Sequence, residues 1–142
     1  RFDEAEVLRR RELASLRARF GDHSVETSGS VYGLGLLLLE RKRYPEADPT
    51  LRLATRLRED VYGSGTVATA AMHVAQAALA RERREYARAD SLARGAIAIY
   101  RTDGYLHAQI NLQRAYREAA QLYEAWGKSD LAARYRALLI LP

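Results

Sequence analysis

Three histidines, His23, His73 and His107, are the residues best suited to metal binding or proton transfer in this chain of 142 residues. No two of them have the i,i+4 spacing that places two imidazoles on one face of a helix. The chain contains no cysteine, which excludes disulfides and thiolate chemistry. The Gly-Ser-Gly segment at 63–65 lacks the lysine of a phosphate-binding loop. The sequence therefore predicts a protein that is not an enzyme and has no metal or cofactor.

The elements that carry these residues repeat along the chain. The segment 44–48, Tyr-Pro-Glu-Ala-Asp, returns 42 residues later at 86–90 as Tyr-Ala-Arg-Ala-Asp. A related block opens the chain at 2–6, and a degenerate one follows at 128–133. A period of this length is typical of solenoid proteins, in which each unit buries its apolar face against the next one. Such an architecture favours binding or assembly over catalysis.

Nearly the whole chain is predicted to be helical, because alanine, leucine, arginine and glutamate dominate and β-branched residues are sparse. Ser24 and Thr66 are predicted helix caps, and Pro45 suits a first helical turn. The short breaks between helices predict antiparallel neighbours. The pattern predicts seven helices, near residues 2–19, 24–41, 44–61, 66–83, 86–101, 105–126 and 129–140.

The segments Gly21-Asp22-His23 and 43–49, Arg-Tyr-Pro-Glu-Ala-Asp-Pro, resemble tetratricopeptide repeats (TPRs) of the 42-residue, kinesin-light-chain-like type. The stretch 122–138 is similar to the carboxyl-terminal repeat of bacterial serine/threonine kinases that carry such arrays. The resemblance implies an all-α, right-handed superhelical solenoid of antiparallel helix pairs. It also implies one repeat domain over 1–142, with a leading helix at 1–20, repeats at 21–62 and 63–104, and a degenerate repeat at 105–142.

In this architecture the first helix of each pair lines a concave face, which is the expected binding surface. The resemblance therefore implies a protein-interaction scaffold, expected to be part of a larger bacterial protein. Arginines at one end of this face favour an acidic peptide or protein as partner. The asparagine pairs common in kinesin-light-chain-type repeats are replaced here. The predicted face contains Tyr32, Leu36, Leu39, Val74, Arg81, Arg114, Arg117 and Gln121.

The two ends of the chain suggest an alternative function, because neither has the polar capping helix that usually closes a solenoid. Exposed apolar ends predict head-to-tail stacking into a homo-oligomer, filament or tube. A fragment of a longer array would show the same open face. The candidate assembly residues are Phe2, Val7, Leu8, Leu139, Ile140 and Leu141.

The remaining charge and hydropathy patterns limit the possible partners. The net charge is +5, with 18 acidic residues interleaved among 23 basic ones, a pattern of solvated helix faces that disfavours nucleic-acid binding. The longest apolar run, at 34–39, is too short to cross a bilayer. We therefore expect no membrane insertion. Two compartments are possible for a bacterial protein of this kind: the cytoplasm, or an extracytoplasmic location if a signal or membrane segment preceded Arg1.

Overall fold

The computed structural model describes residues 2–103 and 106–140. Within these residues the chain contains seven α-helices and no strand, which confirms the predicted all-α fold. Most predicted boundaries hold to within one residue, but the last helix ends earlier than expected. The helices are α1 (Phe2–Phe20), α2 (Val25–Glu40), α3 (Tyr44–Tyr62), α4 (Val67–Glu82), α5 (Tyr86–Thr102), α6 (Leu106–Ala125) and α7 (Ser129–Ala137).

Two of the helices begin at the capping residues that the sequence predicts. The Ser24 side chain accepts a hydrogen bond of 3.0 Å from the backbone N–H of Thr27, at the start of α2. Thr66 and Thr69 form a reciprocal capping box at the start of α4. These bonds satisfy backbone donors that would otherwise have no partner within the helix. The cap positions are 42 residues apart, so the repeat preserves the helix starts.

The turn that joins the two helices of each pair has the same geometry three times. In the first turn Arg43 N–H donates to Leu38 O at 2.9 Å, and Lys42 N–H donates to Leu39 O at 2.9 Å. This is a Schellman motif, which requires a left-handed residue after the helix. Lys42 (φ 59°) and Arg84 (φ 60°) take this conformation in the first two turns, although glycine is the residue that does so without strain. Gly127 (φ 78°) occupies the third turn.

The chain divides into two compact units, one ending at Ser64 and the other beginning at Gly65. In the first unit α2 packs against both α1 and α3. At Gly35, α2 lies close to α3, because an added Cβ would be 2.6 Å from Leu51 Cδ2. Leu51, Val31 and Leu38 are almost completely buried around this contact. The missing side chain at position 35 therefore allows α2 and α3 to pack closely.

An ion-pair network holds α1 against the carboxyl end of α2. Glu6 accepts hydrogen bonds from Arg10 at 2.9 Å, from Arg41 at 2.7 Å, and from Arg43. The hydrogen bond from Arg10, together with Arg43, holds the pKa of the Glu6 carboxyl below its ordinary value of 4.5. Arg41 also donates to Asp3 at 2.6 Å. The network therefore ties α1 both to the end of α2, through Arg41, and to the start of α3, through Arg43.

In the second unit α4 packs against α5, and α6 packs against α4, α5 and α7. The core is rich in alanine and contains the buried aromatic residues Tyr100, Tyr116 and Tyr123. Small side chains at equivalent repeat positions are fully buried in both units, as the period predicts: Ala47 and Ala54 on α3, and Ala89 and Ala96 on α5. Assignment of the whole chain to one repeat domain stays a prediction.

Candidate protein-interaction surfaces

The predicted binding residues of the first unit all lie on α2 and are only partly exposed. Tyr32 and Leu39 are half-buried, and Leu36 is 38% exposed. These side chains leave α2 a partly apolar surface, while Leu34 and Leu38 are buried in the core. The structure places none of the predicted arginines in this unit.

In the second unit α6 presents one continuous exposed face. Arg114, Arg117 and Gln121, all expected in the binding face, are exposed there. Leu106, 73% exposed, and Ile110, 48% exposed, extend the same face toward the start of the helix. The spacing of three or four residues places all five on one side of α6. These two aliphatic residues are not in the predicted face, although their helical spacing to Arg114 would have indicated them.

The arginines of this face are available because the nearby carboxylates are already paired. Glu118 binds Arg81 on α4, with Nε and Oε1 2.7 Å apart, and Glu124 forms an ion pair with Arg136 on α7. Within the described residues, no carboxylate forms an ion pair with Arg114 or Arg117. The two guanidinium groups can therefore bind an external anion without breaking an internal pair.

Arg81 does not join Arg114 and Arg117 as a free cation. It bridges Glu118 and Glu82, and only 19% of its side chain is exposed. Glu118 is itself buried, and burial raises the pKa of its carboxyl although Arg81 lies beside it. Because Arg81 compensates a buried carboxylate between α4 and α6, only Arg114 and Arg117 of the three expected arginines form no ion pair within the described residues. Val74, also expected on this face, packs partly buried against the core.

A groove of about 510 Å³ adjoins the exposed face of α6. Arg117, Gln121 and Leu139 contribute to its walls, together with the Arg136–Glu124 pair. The groove combines a cation, an amide and an aliphatic surface, so it can hold a peptide segment through both polar and apolar contacts.

Gln113 holds the end of the chain against α6. Its amide Nε2 donates to Leu138 O at 3.1 Å, and its Oε1 accepts from Ile140 N–H at 2.9 Å. The tail consequently leaves the helical path after Ala137 and places Leu139 against the hydrophobic core. Sequence analysis missed Gln113, because a glutamine on an amphipathic helix does not reveal which backbone it will bind.

The expected assembly residues have different environments. Val7 and Leu8 are exposed on α1, at 47% and 64%. Ile140 is 81% exposed, but Leu139 is partly buried by its own unit and is therefore not an open apolar end. The Phe2 side chain and Leu141 lie outside the part of the chain that the structure describes.

His23 belongs to the first unit, and His73 and His107 belong to the second. His23 lies 3.5 Å from Asp60, on the surface of the first unit, and His107 is exposed at the start of α6. In residues 2–103 and 106–140, no group of three His, Cys, Asp or Glu side chains could hold a metal ion. None of the helices described is long and apolar enough to span a membrane.

An aromatic cluster in the second unit was also missed. The Tyr123 and Tyr135 rings stack with centroids 5.5 Å apart, and Tyr135 lies 6.0 Å from Tyr116. Asp90 accepts a hydrogen bond from the Tyr123 hydroxyl, and burial together with this bond raises the pKa of that phenol. Arg101 Nε donates to Tyr116 Oη at 3.0 Å, which raises the pKa of the guanidinium. The cluster joins α5, α6 and α7.

Comparison with known proteins supports the fold. No protein-family model and no curated protein sequence matches the chain. Among solved structures it is similar to BtubC (BKLC) from P. vanneervenii, a bacterial kinesin light chain-like protein of the TPR type, with a TM-score of 0.81 at 16% identity. The match covers 97% of this chain and 57% of that protein. The chain therefore has a TPR-like helical-repeat fold.

Proposed function

We propose that the chain is a non-catalytic interaction scaffold whose exposed α6 face binds an acidic segment of a partner protein. The observation that carries this proposal is the pairing pattern around Arg114 and Arg117. Both guanidinium groups are exposed, one helical turn apart, and have no carboxylate partner among the described residues. The nearby Glu118 and Glu124 bind other arginines.

The side chains of the α6 face are suited to binding a ligand and not to cleaving a bond. Guanidinium groups bind carboxylates through paired, charge-assisted hydrogen bonds. Gln121 offers an amide that can bond to a peptide backbone, while Leu106 and Ile110 offer apolar contacts at the other end of the helix. The expected ligand is therefore a segment with an apolar part followed by acidic residues, lying along α6.

Two broader parts of the proposal rest on resemblance. The TPR-like fold supports a scaffold role, since helical repeats present extended binding surfaces. The resemblance of residues 122–138 to repeats of bacterial serine/threonine kinases supports a place within a larger bacterial protein. A fold alone does not identify the other domains or the partner of that larger protein.

Peptide titration tests the α6 proposal directly. We expect a fluorescein-labelled peptide with leucines followed by glutamates to bind at low salt and more weakly at moderate salt. The Arg114→Ala/Arg117→Ala variant should lose most of this affinity. Arg11→Ala/Arg56→Ala is the matched control, because it removes the same charge from two exposed arginines of the first unit. Equal losses in the two variants would reduce the effect to overall charge and refute the site.

Assembly is the second candidate function, favoured by the exposed apolar side chains of Leu8 and Ile140. If a Leu8 surface of one copy meets an Ile140 surface of another, the contact is head-to-tail and gives an open filament or a ring. Sedimentation velocity over a wide concentration range should then show growing species that Leu8→Glu or Ile140→Glu abolishes. A monomer at every concentration would exclude assembly.

A further inference from the structure

A second surface of the unit formed by α4 to α7 lies between α5 and α7, apart from the exposed face of α6. A groove of about 560 Å³ runs along α5 past Ser91, Gly95 and Ala98 and reaches Arg101 and Tyr135. A smaller recess of about 230 Å³ shares Arg101 and Tyr135 and adds Leu131, Arg134 and Leu138. The two cavities therefore share residues where α5 faces α7.

The guanidinium of Arg101 is held in place before any ligand arrives. Its Nε donates to the hydroxyl of the buried Tyr116 at 3.0 Å, and its Cζ lies 5.5 Å from the centre of that ring. Tyr116 in turn packs against Tyr135. Within the described residues, Arg101 forms no ion pair with a carboxylate. Its two terminal nitrogens thus keep their hydrogen-bond donors for an external acceptor.

Arg134 adds a second cation to the recess. It is exposed, and no carboxylate in the described part of the chain forms an ion pair with it. The aliphatic Leu131 and Leu138 line the recess together with the two arginines. Arg94 lies further along the groove, but it already binds Asp90 at 3.5 Å. The recess therefore combines two available cations with two aliphatic side chains, which suits a carboxylate on an aliphatic stem.

Because Gly95 has no side chain, it would allow another chain to approach the backbone of α5 closely. It lies inside α5, is exposed, and has no positive φ that would demand glycine. A Cβ added there would meet no atom within 4 Å. An exposed glycine inside a helix destabilises that helix relative to alanine, and no contact among the described residues accounts for the glycine here. Close approach of a second backbone along the groove would account for it.

We propose that the groove between α5 and α7 is a second docking surface, which takes an acidic helical segment of another protein. The segment lies along α5 over Gly95 and places a glutamate or aspartate carboxylate between Arg101 and Arg134. This surface goes beyond the α6 proposal and shares none of its residues. Charge complementarity selects the occupant, because the available charged groups of the recess, Arg101 and Arg134, are cationic.

The test uses a capped, fluorescein-labelled peptide of alanine, leucine and glutamate at helical spacing. Binding is measured by fluorescence anisotropy in the Arg114→Ala/Arg117→Ala background, so that the α6 face does not contribute. We expect this background to retain binding. Arg134→Gln should then weaken the affinity about tenfold, the usual effect of losing one charge-assisted hydrogen bond. Arg56→Gln, on the first unit, is the control for the lost charge.

Gly95 provides a second and sterically based measurement. Gly95→Leu fills the groove and should abolish binding. Ala87→Leu places the same leucine side chain at an exposed site of α5 outside the groove and should leave binding unchanged. Gly95→Ala should raise the melting temperature and yet weaken the peptide affinity, a combination that damage to the fold cannot produce. Unaltered binding by Gly95→Leu would overturn the proposal, as would equal losses in Arg134→Gln and Arg56→Gln.

The two surfaces are distinguished by the background variant itself. Complete loss of binding in Arg114→Ala/Arg117→Ala overturns the α5–α7 surface and supports the α6 site. Full binding there, sensitive to Arg134→Gln, supports the α5–α7 surface and refutes the α6 site for this peptide.

Discussion

Adding one methyl group at Gly35 should destabilise the first unit. The new Cβ would lie 2.6 Å from Leu51 Cδ2 and 2.8 Å from Leu51 Cγ, whereas carbon atoms in contact are normally about 3.5–4.0 Å apart. Leu51 is fully buried and cannot turn outward. The overlap must therefore be relieved by moving α3 or by forcing Leu51 out of its preferred rotamer.

The expected change in the free energy of unfolding of Gly35→Ala is the difference between two effects. Overpacking of a well-packed core costs about 1–3 kcal/mol, while replacing a glycine inside a helix by alanine gains about 0.5–1 kcal/mol. We expect Gly35→Ala to lower the free energy of unfolding by about 1–2 kcal/mol. Urea unfolding followed by far-UV circular dichroism measures this change. Gly95→Ala is the matched control, because its methyl group enters open space and only the gain applies.

The next repeat indicates which second substitution should relieve the overlap created by Gly35→Ala. Positions 35 and 51 correspond to Ala77 and Ala93 in the next repeat, where both residues are buried alanines. Leu51→Ala alone should cost about 2–5 kcal/mol, because it leaves a cavity. Gly35→Ala/Leu51→Ala should cost less than the sum of the single changes, by about 0.5–3 kcal/mol. Additive losses, or a Gly35→Ala variant as stable as Gly95→Ala, would refute the packing explanation.

Three further predictions concern turns, core contacts and pH. Lys42→Gly should stabilise the chain by about 1 kcal/mol, because it relieves a left-handed backbone at a non-glycine residue; Lys42→Ala, with no gain in urea unfolding, is its control. Ala89→Leu should cost about 1–3 kcal/mol at a fully buried site, whereas exposed Ala87→Leu should leave the melting temperature nearly unchanged. Burial raises the pKa of the Glu118 carboxyl in the folded chain above its ordinary value of 4.5. Protonation of Glu118 therefore stabilises the fold below pH 4.5, and this stabilisation is lost as the pH rises through the folded pKa. The stability of the wild type relative to Glu118→Gln should therefore fall between acidic and neutral pH, and a rising difference would contradict the assignment.

Most of the fold could be predicted because its causes are local or periodic. Ser24 and Thr66 cap the helices that follow them through hydrogen bonds a few residues away. The 42-residue period marks Ala47 and Ala89 as equivalent, and both are fully buried. The α7 boundary was missed because the tail is held by Gln113, a residue 25 positions from Leu138. A contact of that range leaves no trace in helix propensity.

The sequence by itself determined the helices, their pairing and the small residues between them, because backbone hydrogen bonding and apolar periodicity are encoded over short distances. Only the tertiary structure decided which arginines remain available. Arg81 resembles Arg114 in the sequence, but it binds a carboxylate 37 residues away, Glu118, across two packed helices. Which carboxylate an arginine pairs with depends on where its guanidinium group lies in the folded chain, and the packing of the helices sets that position.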